Sequence, residues 1–155
     1  MFSRDTFEHV LDLPAALRAL RTVLKPGGRI YAGFGPLYNS PFGDHGLIAG
    51  IPRVSGGAVG LPWGHLVFGD LKSNWLARLR PRAMKQARDL LNMLPYSAYE
   101  DAFRDCEMQI QAFHVNVSDN PGMKALSLLR RLPPLREYCS VSIYSVLRKP
   151  PRETA

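Results

Sequence analysis

The stretch MFSRDTFEHVLDLPAALRALRTVLKPGG at positions 1–28, followed by RIYAGF at positions 29–34, contains a well-marked helix and the strand after it. Four leucines recur at helical spacing, at positions 13, 17, 20 and 24, and basic residues take the opposite side. Asp12 stands where an N-cap acceptor belongs, and Lys25 places positive charge at the carboxyl end. Because Pro-Gly-Gly at 26–28 stops a helix, the pattern predicts a helix over 12–25 and a strand over 29–34.

Helix, tight turn and strand in succession form half of a βαβ unit, which indicates an α/β fold. The rest of the chain continues this alternation, and we treat 1–150 as one domain with a frayed tail at 151–155. Periodicity and capping patterns predict a helix at 72–94 divided near Pro81, a helix at 97–105 with a Ser97/Glu100 capping box, a strand at 108–117, a helix at 121–131 and a strand at 138–147.

A long insert, at about 36–95, follows the first predicted strand. Frequent glycine and proline as far as position 69 exclude a long regular element in that part. Loops of this length are uncommon in compact domains, and this one leaves the carboxyl end of a strand, where open α/β sheets bind ligands. We therefore expect residues 39–68 to form a mobile cover over a substrate.

The apolar part of this insert raises the question of a membrane. Residues 47–68 have Arg53 as their only fixed charge, but their prolines and glycines, together with this arginine, exclude a spanning helix. Apolar residues at 63–68 run directly into a basic stretch at 72–88. Peripheral contact of this apolar part with an anionic membrane or an amphiphilic acceptor is one interpretation, and packing inside the insert is the other. The basic stretch is either a docking surface or a solvated helix face.

The composition is that of an ordinary globular protein with 155 residues, 46% hydrophobic and 21% charged. A net charge of +7 and a pI near 9.8 permit attraction to anionic partners, but nothing selects nucleic acid, which we do not expect as a partner. Cys106 and Cys139 lie far apart and lack metal-ligand spacing, which favours core thiols in a reducing compartment. With no secretory signal pattern at the amino terminus, we expect a cytoplasmic protein.

One motif in the opening stretch is recognisable: Ser3, Asp5, Phe7-Glu8-His9-Val10 and Leu24-Lys25-Pro26-Gly27-Gly28. It resembles the segment of class I S-adenosylmethionine (SAM) dependent methyltransferases that runs from the end of the fourth strand to the turn before the fifth. The resemblance implies a partial Rossmann-like methyltransferase fold, with its fifth strand at 29–34, its sixth at 108–117 and a last, antiparallel strand at 138–147. It also implies that the glycine-rich SAM loop would lie upstream of Met1, which leaves the SAM site incomplete.

The same resemblance assigns candidate site residues. Family residues at the positions of Ser3, Asp5, Glu8 and His9 lie beside the cofactor or the methyl acceptor, so these four are the expected SAM contacts. An acidic residue next to a histidine could orient a cofactor amine or remove an acceptor proton, which makes His9 a catalytic candidate. The alternative is that Glu8-His9-Val10 merely leads into the helix, because methyl transfer depends largely on in-line placement.

A second set of candidates lies in the insert and comprises Asp44, His45, Trp63 and His65. We expect these residues to contact the acceptor, with His45 as the second catalytic candidate. Their spacing matches no metal-ligand pattern, so we expect no metal site.

Two functions are compatible with the sequence. In the first, the chain is the C-terminal portion of a SAM-dependent methyltransferase for an unknown acceptor, inactive alone and binding SAM no tighter than about millimolar. In the second, it is a non-catalytic remnant that binds partners through its basic helix and apolar insert. The strand at 29–34 is expected to be a poorly covered edge, which predicts self-association.

Overall fold

The computed structural model describes residues 1–45, 50–52, 58–60, 62–69 and 89–151. At its centre lies a four-stranded sheet in the order β1 (Phe2–Arg4), β2 (Arg29–Phe34), β6 (Ile143–Arg148) and β5 (Gln109–Val115). β1 and β2 are parallel, whereas β6 is antiparallel to both of its neighbours. The chain therefore has a mixed α/β fold with an antiparallel last strand, as predicted.

Helices and a short hairpin complete the described part of the chain. The helices are α1 (Leu13–Val23), α2 (Gly64–Gly69), α3 (Tyr96–Asp105) and α4 (Pro121–Leu129). Short 3-10 helices occupy Phe7–His9 and Pro133–Leu135. Within the insert, β3 (Gly50–Pro52) pairs antiparallel with β4 (Ala58–Gly60) in a separate sheet.

Helix α1 follows its sequence pattern closely. The Asp12 carboxylate accepts a hydrogen bond from the Ala15 amide at 2.9 Å, as an N-cap residue should. The helix ends at Val23, and Gly27 takes a φ of +75°, which favours glycine, as the chain turns into β2. The predicted helix at 12–25 and strand at 29–34 are confirmed, with the helix ends moved inward by one or two residues.

The core lies on one face of the sheet. Alternate residues of β2 and β6 are buried there against α1 and α3, in a cluster that includes Leu13, Leu17, Ile30, Phe34, Tyr99, Phe103, Ile143 and Leu147. The three strands predicted to share one sheet do so, with α1 packed on one face. Cys106 and Cys139 are buried and free, as expected for core thiols.

The edge of the sheet differs from the prediction. Residues Phe2–Arg4 form a strand whose Phe2 lies opposite Tyr31, so β2 is paired on both sides. The prediction that 29–34 forms an uncovered edge is therefore wrong. Among the described residues, the sheet ends at β1 on one side and at β5 on the other.

The last strand is also shorter at its start than predicted. It begins at Ile143 and not at 138, because the Cys139 amide still donates to the Leu135 carbonyl at 2.9 Å. The Asn116 side chain then holds the following residues, donating to the Cys139 carbonyl and accepting from the Val141 amide, each at 2.7 Å. The strand predicted at 108–117 is confirmed over Gln109–Val115.

The predicted capping box of α3 is wrong. The N-cap is Pro95, and the Ser97 amide donates to Glu137 at 3.1 Å. Glu100 does not accept from the Ser97 amide as a capping box requires, because its carboxylate accepts from the Tyr96 hydroxyl at 2.6 Å and from the Arg136 guanidinium.

Two predicted helices have different ends in the structure. The helix predicted at 72–94 lies mostly outside the described residues, and 91–94 are not helical, so its predicted end is wrong. Helix α4 begins after an Asn120 cap and ends at Leu129, two residues before the predicted end.

The face of the sheet opposite the core is open. Phe2 is 84% exposed there, and its ring stacks on Tyr31 at a centroid distance of 4.9 Å. A groove of about 420 Å³ crosses this face, with Tyr144 and His114 also in its lining. The same strands therefore bury one set of alternate residues and leave the other set exposed.

Candidate functional site

The candidate site lies where the parallel strands β1 and β2 end. The register sets Arg4 opposite Gly33, and the Asp5 amide donates to the Gly33 carbonyl at 2.8 Å. The 3-10 helix Phe7–His9 follows β1 at once, and Gly35 follows β2. Because carboxyl ends of parallel strands meet at one edge of a sheet, this register brings the motif residues together at the place where α/β sheets bind ligands.

Glu8 is buried at the centre of this site, with 3% of its surface exposed. One carboxyl oxygen, Oε1, lies 3.5 Å from the Gly35 amide nitrogen, and the other, Oε2, is buried without a hydrogen-bond partner in the described part of the chain. Burial raises the pKa of the Glu8 carboxyl above its ordinary value, while its own amide and the charge of His9 act in the opposite direction. This carboxyl is a buried acid whose hydrogen bonding is incomplete.

His9 stands beside Glu8 with 43% of its side chain exposed. Its Nδ1 lies 2.7 Å from the Leu90 carbonyl, and because a carbonyl can only accept, Nδ1 carries the hydrogen. In the neutral ring Nε2 therefore holds the lone pair, 3.9 Å from Glu8 Oε1. His9 thus presents an oriented basic nitrogen at the strand ends.

His45 reaches the same site from the insert. Its ring lies 5.6 Å from that of His9, between centroids. Partial burial and, next, the charge of His9 lower the pKa of His45 below its ordinary value of 6.5, although a hydrogen bond with the Pro36 backbone acts against this. His45 and Asp5 both have positive φ, at 53° and 48°, a conformation in which Asp and His are enriched and which is often found at functional sites.

Asn92 fixes the Glu8–His9 segment, and the sequence analysis did not identify it. Its side-chain nitrogen donates to the carbonyls of Phe7 at 2.7 Å and Val10 at 3.1 Å, and its backbone amide donates to the Glu8 carbonyl at 2.9 Å. Its side-chain oxygen accepts from the Tyr99 hydroxyl at 2.8 Å. Burial raises the pKa of Tyr99, which keeps that hydroxyl protonated and able to donate. No sequence pattern links position 92 to position 8, so only the fold reveals this contact.

The other insert candidates do not gather around His9. Asp44 and His65 are almost fully buried, with His65 Nδ1 3.9 Å from Asp44 Oδ1 and His65 Nε2 2.5 Å from the Tyr38 carbonyl. Trp63 donates through its indole nitrogen to the Tyr138 carbonyl at 3.0 Å. Of the four insert candidates, the structure brings His45 to the strand ends and places the other three in contacts within the protein.

Ser3 and Asp5 lie at the border between the site and the open sheet face. Ser3 is half-buried opposite Ala32, and both candidates line the groove on that face. The Asp5 side chain is 61% exposed and lies 3.2 Å from the Arg4 guanidinium. These two residues are accessible to a ligand that spans the strand end and the groove.

Other classes of site are not seen in the described part of the chain. Over those residues, no three His, Cys, Asp or Glu side chains are grouped so that they could hold a metal ion. Within the same residues, no helix has the length and apolar character needed to cross a membrane.

The chain matches no protein-family model and no curated protein sequence. Among solved structures it is similar to the crystal structure of an S-adenosylmethionine dependent methyltransferase from Mesorhizobium loti, with 16% identity and a TM-score of 0.47. The similarity covers 96% of this chain and 60% of that one, so the chain spans about 60% of that protein's length.

Proposed function

We propose that this chain is the later part of a class I SAM-dependent methyltransferase domain that transfers a methyl group to an acceptor not yet identified. The observation that carries the proposal is the convergence of Asp5, Glu8, His9 and His45 at the carboxyl ends of parallel strands. Three of these four belong to the motif that resembles the family, and the fourth comes from the insert.

The local structure around the motif is consistent with the proposal. Helix α1 connects β1 to the parallel strand β2, and Gly27 makes the turn that ends the motif. The strand at 143–148 lies antiparallel beside β2, which the resemblance implied for the last strand of the domain.

The residues at the strand ends fit a ligand with several hydrogen-bonding groups. Asp5 offers an exposed carboxylate, and Glu8 Oε2 is a buried acceptor that has no donor among the residues that the structure describes. SAM, when bound, would supply the methyl group on its sulfonium. In this proposal Ser3 and Asp5 would hold the cofactor, whose methyl carbon–sulfur bond would break as the acceptor takes the methyl group. His9 Nε2 would accept the proton that the acceptor releases.

Binding of SAM by the chain itself should be weak. A charge-assisted hydrogen bond contributes roughly 1.5–3 kcal/mol, whereas fixing a flexible ligand costs at least about 4 kcal/mol. A few contacts at Ser3, Asp5 and Glu8 therefore support a dissociation constant no lower than about millimolar. Catalysis by this chain alone is not expected.

The test is a SAM titration followed through the backbone amide signals of the chain by NMR. The proposal predicts millimolar binding, with shifts centred on 3–9 and Gly35, and weaker binding in Asp5→Asn. A matched control is Asp101→Asn, which removes an exposed carboxylate paired with Arg104 on α3 and should leave the titration unchanged. No shift at millimolar SAM, or equal binding by Asp5→Asn, would overturn the proposal, and micromolar binding would overturn the idea of an incomplete site.

The open sheet face favours a second candidate function, that of a binding module without catalysis. Phe2, Tyr31 and Tyr144 expose aromatic surface there, and such surface often marks an interaction site. In this case the chain should self-associate at tens of micromolar, and Tyr31→Ser should reduce the association measured by light scattering. A monomer under those conditions would count against this second function.

A further inference from the structure

Glu8 is an acidic residue that is both buried and incompletely hydrogen-bonded, which is uncommon for a residue with a purely structural role. Its surface is 3% exposed, and one of its carboxyl oxygens has no hydrogen-bond partner within the described ranges of the chain. We propose that the Glu8 carboxylate receives a protonated amine of the ligand that binds at the ends of β1 and β2. The inference rests on the proposed function for the location of the site, and it adds the chemical class of the group recognised there.

The hydrogen-bond geometry calls for a donor. Leaving a buried acceptor unsatisfied costs about 1–3 kcal/mol, and more for a charged group. Among the described residues, the donors to the Glu8 carboxyl are its own amide and the Gly35 amide, which is a long 3.5 Å from Oε1, and Oε2 has no hydrogen-bond partner. An ammonium group carries three N–H donors, so it can donate one hydrogen bond to Oε2 and another to Oε1.

The charges around Glu8 favour a cation over a neutral donor. In the described residues, the ion-pair contact of Glu8 is His9 Nε2 at 3.9 Å, which is too long for a hydrogen bond. Asp5 adds a second carboxylate at the end of β1, and burial with the charge of His9 favours the neutral form of His45. The Arg4 guanidinium lies 3.2 Å from the Asp5 carboxylate, and among the described residues no cation lies within hydrogen-bond distance of the Glu8 carboxyl.

Several groups face Glu8 and would influence its titration. They are Asp5 at the end of β1, His9 on the same 3-10 helix, the Gly35 amide at the end of β2 and the Tyr99 hydroxyl of α3. His45 adds a ring next to His9. An amine that binds only the ionised carboxylate should bind more tightly as pH rises through the Glu8 titration.

The experiment follows the Glu8 carboxyl carbon by NMR as pH is varied, first alone and then with one added probe at tens of millimolar. The probes are propylammonium, methionine, propanol and adenosine. An amine bound tenfold more tightly by the ionised carboxylate would lower the Glu8 titration midpoint by up to about one pH unit. Propylammonium stands for an amine on the acceptor, and methionine for the α-ammonium of the cofactor.

A lowered midpoint with propylammonium alone would support the proposal with the acceptor as the source, and one with methionine would support it with the cofactor as the source. Propanol and adenosine should leave the midpoint unchanged. The proposal would be overturned if neither amine lowered the Glu8 titration midpoint, or if propanol lowered it equally.

Matched variants keep this test independent of folding and of the proposed function. In Glu8→Gln, the amine-dependent shift of the Gly35 amide should disappear, whereas Glu107→Gln, at an exposed residue paired with Arg21, should retain it. Retention of the shift in Glu8→Gln would contradict the proposal. If SAM and adenosine leave Ser3 and Asp5 unchanged while the amine acts on Glu8, the methyltransferase assignment fails and the amine site stands.

Discussion

The described part of the chain contains two acid–histidine pairs with the same separation and very different surroundings. Glu8 and His9 lie 3.9 Å apart at the strand ends, and Asp44 and His65 lie 3.9 Å apart inside the insert. His9 is 43% exposed, whereas the side chain of His65 has no exposed surface. Of these two pairs, only the first combines a partly exposed imidazole ring with a buried carboxyl.

Residue type alone therefore does not identify a functional site. Glu8 and His9 were candidates because an acidic residue next to a histidine suits proton transfer, whereas Asp44 and His65 were candidates for contacts with the acceptor. In the second pair, His65 Nε2 donates to the Tyr38 carbonyl, so this ring connects two parts of the insert. We interpret Glu8–His9 as facing a ligand and Asp44–His65 as holding the insert together.

The largest expected effect is a loss of stability when the Asp44–His65 pair is changed. His65→Ala removes a fully buried ring and its hydrogen bond to Tyr38, and should lower the free energy of unfolding by about 2–4 kcal/mol. His9→Ala, the matched control at a partly exposed ring, should lower it by about 1 kcal/mol or less. Urea unfolding of both variants measures the difference, and equal losses would contradict the division between the two pairs.

The next effect concerns Asn92, which supports the Glu8–His9 pair through hydrogen bonds. Asn92→Ala removes side-chain hydrogen bonds to Phe7, Val10, Leu94 and Tyr99 and should cost about 1–3 kcal/mol of unfolding free energy. Asn120→Ala, which removes the N-cap of α4, serves as control and should cost about 1 kcal/mol without disturbing His9. Unchanged His9 ring signals in Asn92→Ala would show that Asn92 does not position this pair.

A smaller effect should appear in the pH dependence of stability. The pKa of Glu8 is raised in the folded chain, so the folded state retains its proton above the ordinary value of 4.5, where the unfolded state has released it. Stability from this group is therefore greatest at acidic pH and falls as pH rises from 4.5 to the folded pKa. Glu8→Gln should gain stability relative to the wild type between pH 4 and pH 7 in urea unfolding, and a constant difference would be evidence against the burial of an acid.

The smallest effect is electrostatic. The charge of His9 is the second cause of the lowered pKa of His45, after burial. Replacing His9 by alanine should therefore raise the pKa of His45, and burial should still keep that pKa below the ordinary value. An NMR titration of the His45 ring measures this, with His114 on the open sheet face as an internal reference. A lower or unchanged pKa of His45 would mean that the two rings do not interact.

Much of the fold could be predicted because its elements have local causes. A few adjacent residues determine each of three features: the α1 cap at Asp12, the turn at Gly27 and the alternation of β2. The last strand was predicted five residues too early at its start, since the contacts of Asn116 with 139–142 come from distant positions. The capping box failed for the same reason, because Glu137 accepts from the Ser97 amide and Arg136 binds the Glu100 carboxylate, and both partners are distant in sequence.

The candidate site was predicted in part. The motif placed Asp5, Glu8 and His9 together because they are close in sequence, and the parallel pairing of β1 with β2 adds Gly35. The proximity of His45 to His9 depends on the path of the insert, and the hydrogen bonds of Asn92 depend on the packing of α3, so neither is visible in a local pattern. The predicted mobility of 39–68 and its contact with an acceptor stay predictions.

The most direct test follows the four histidine rings of the chain during a SAM titration, by long-range proton–nitrogen NMR. These rings sample the relevant regions, with His9 and His45 at the strand ends, His65 inside the insert and His114 on the open sheet face. The account predicts that millimolar SAM shifts the ring signals of His9 and His45 and leaves those of His65 and His114 unchanged. Shifts at His65 or His114 without shifts at His9 and His45, or no shift at any ring, would contradict it.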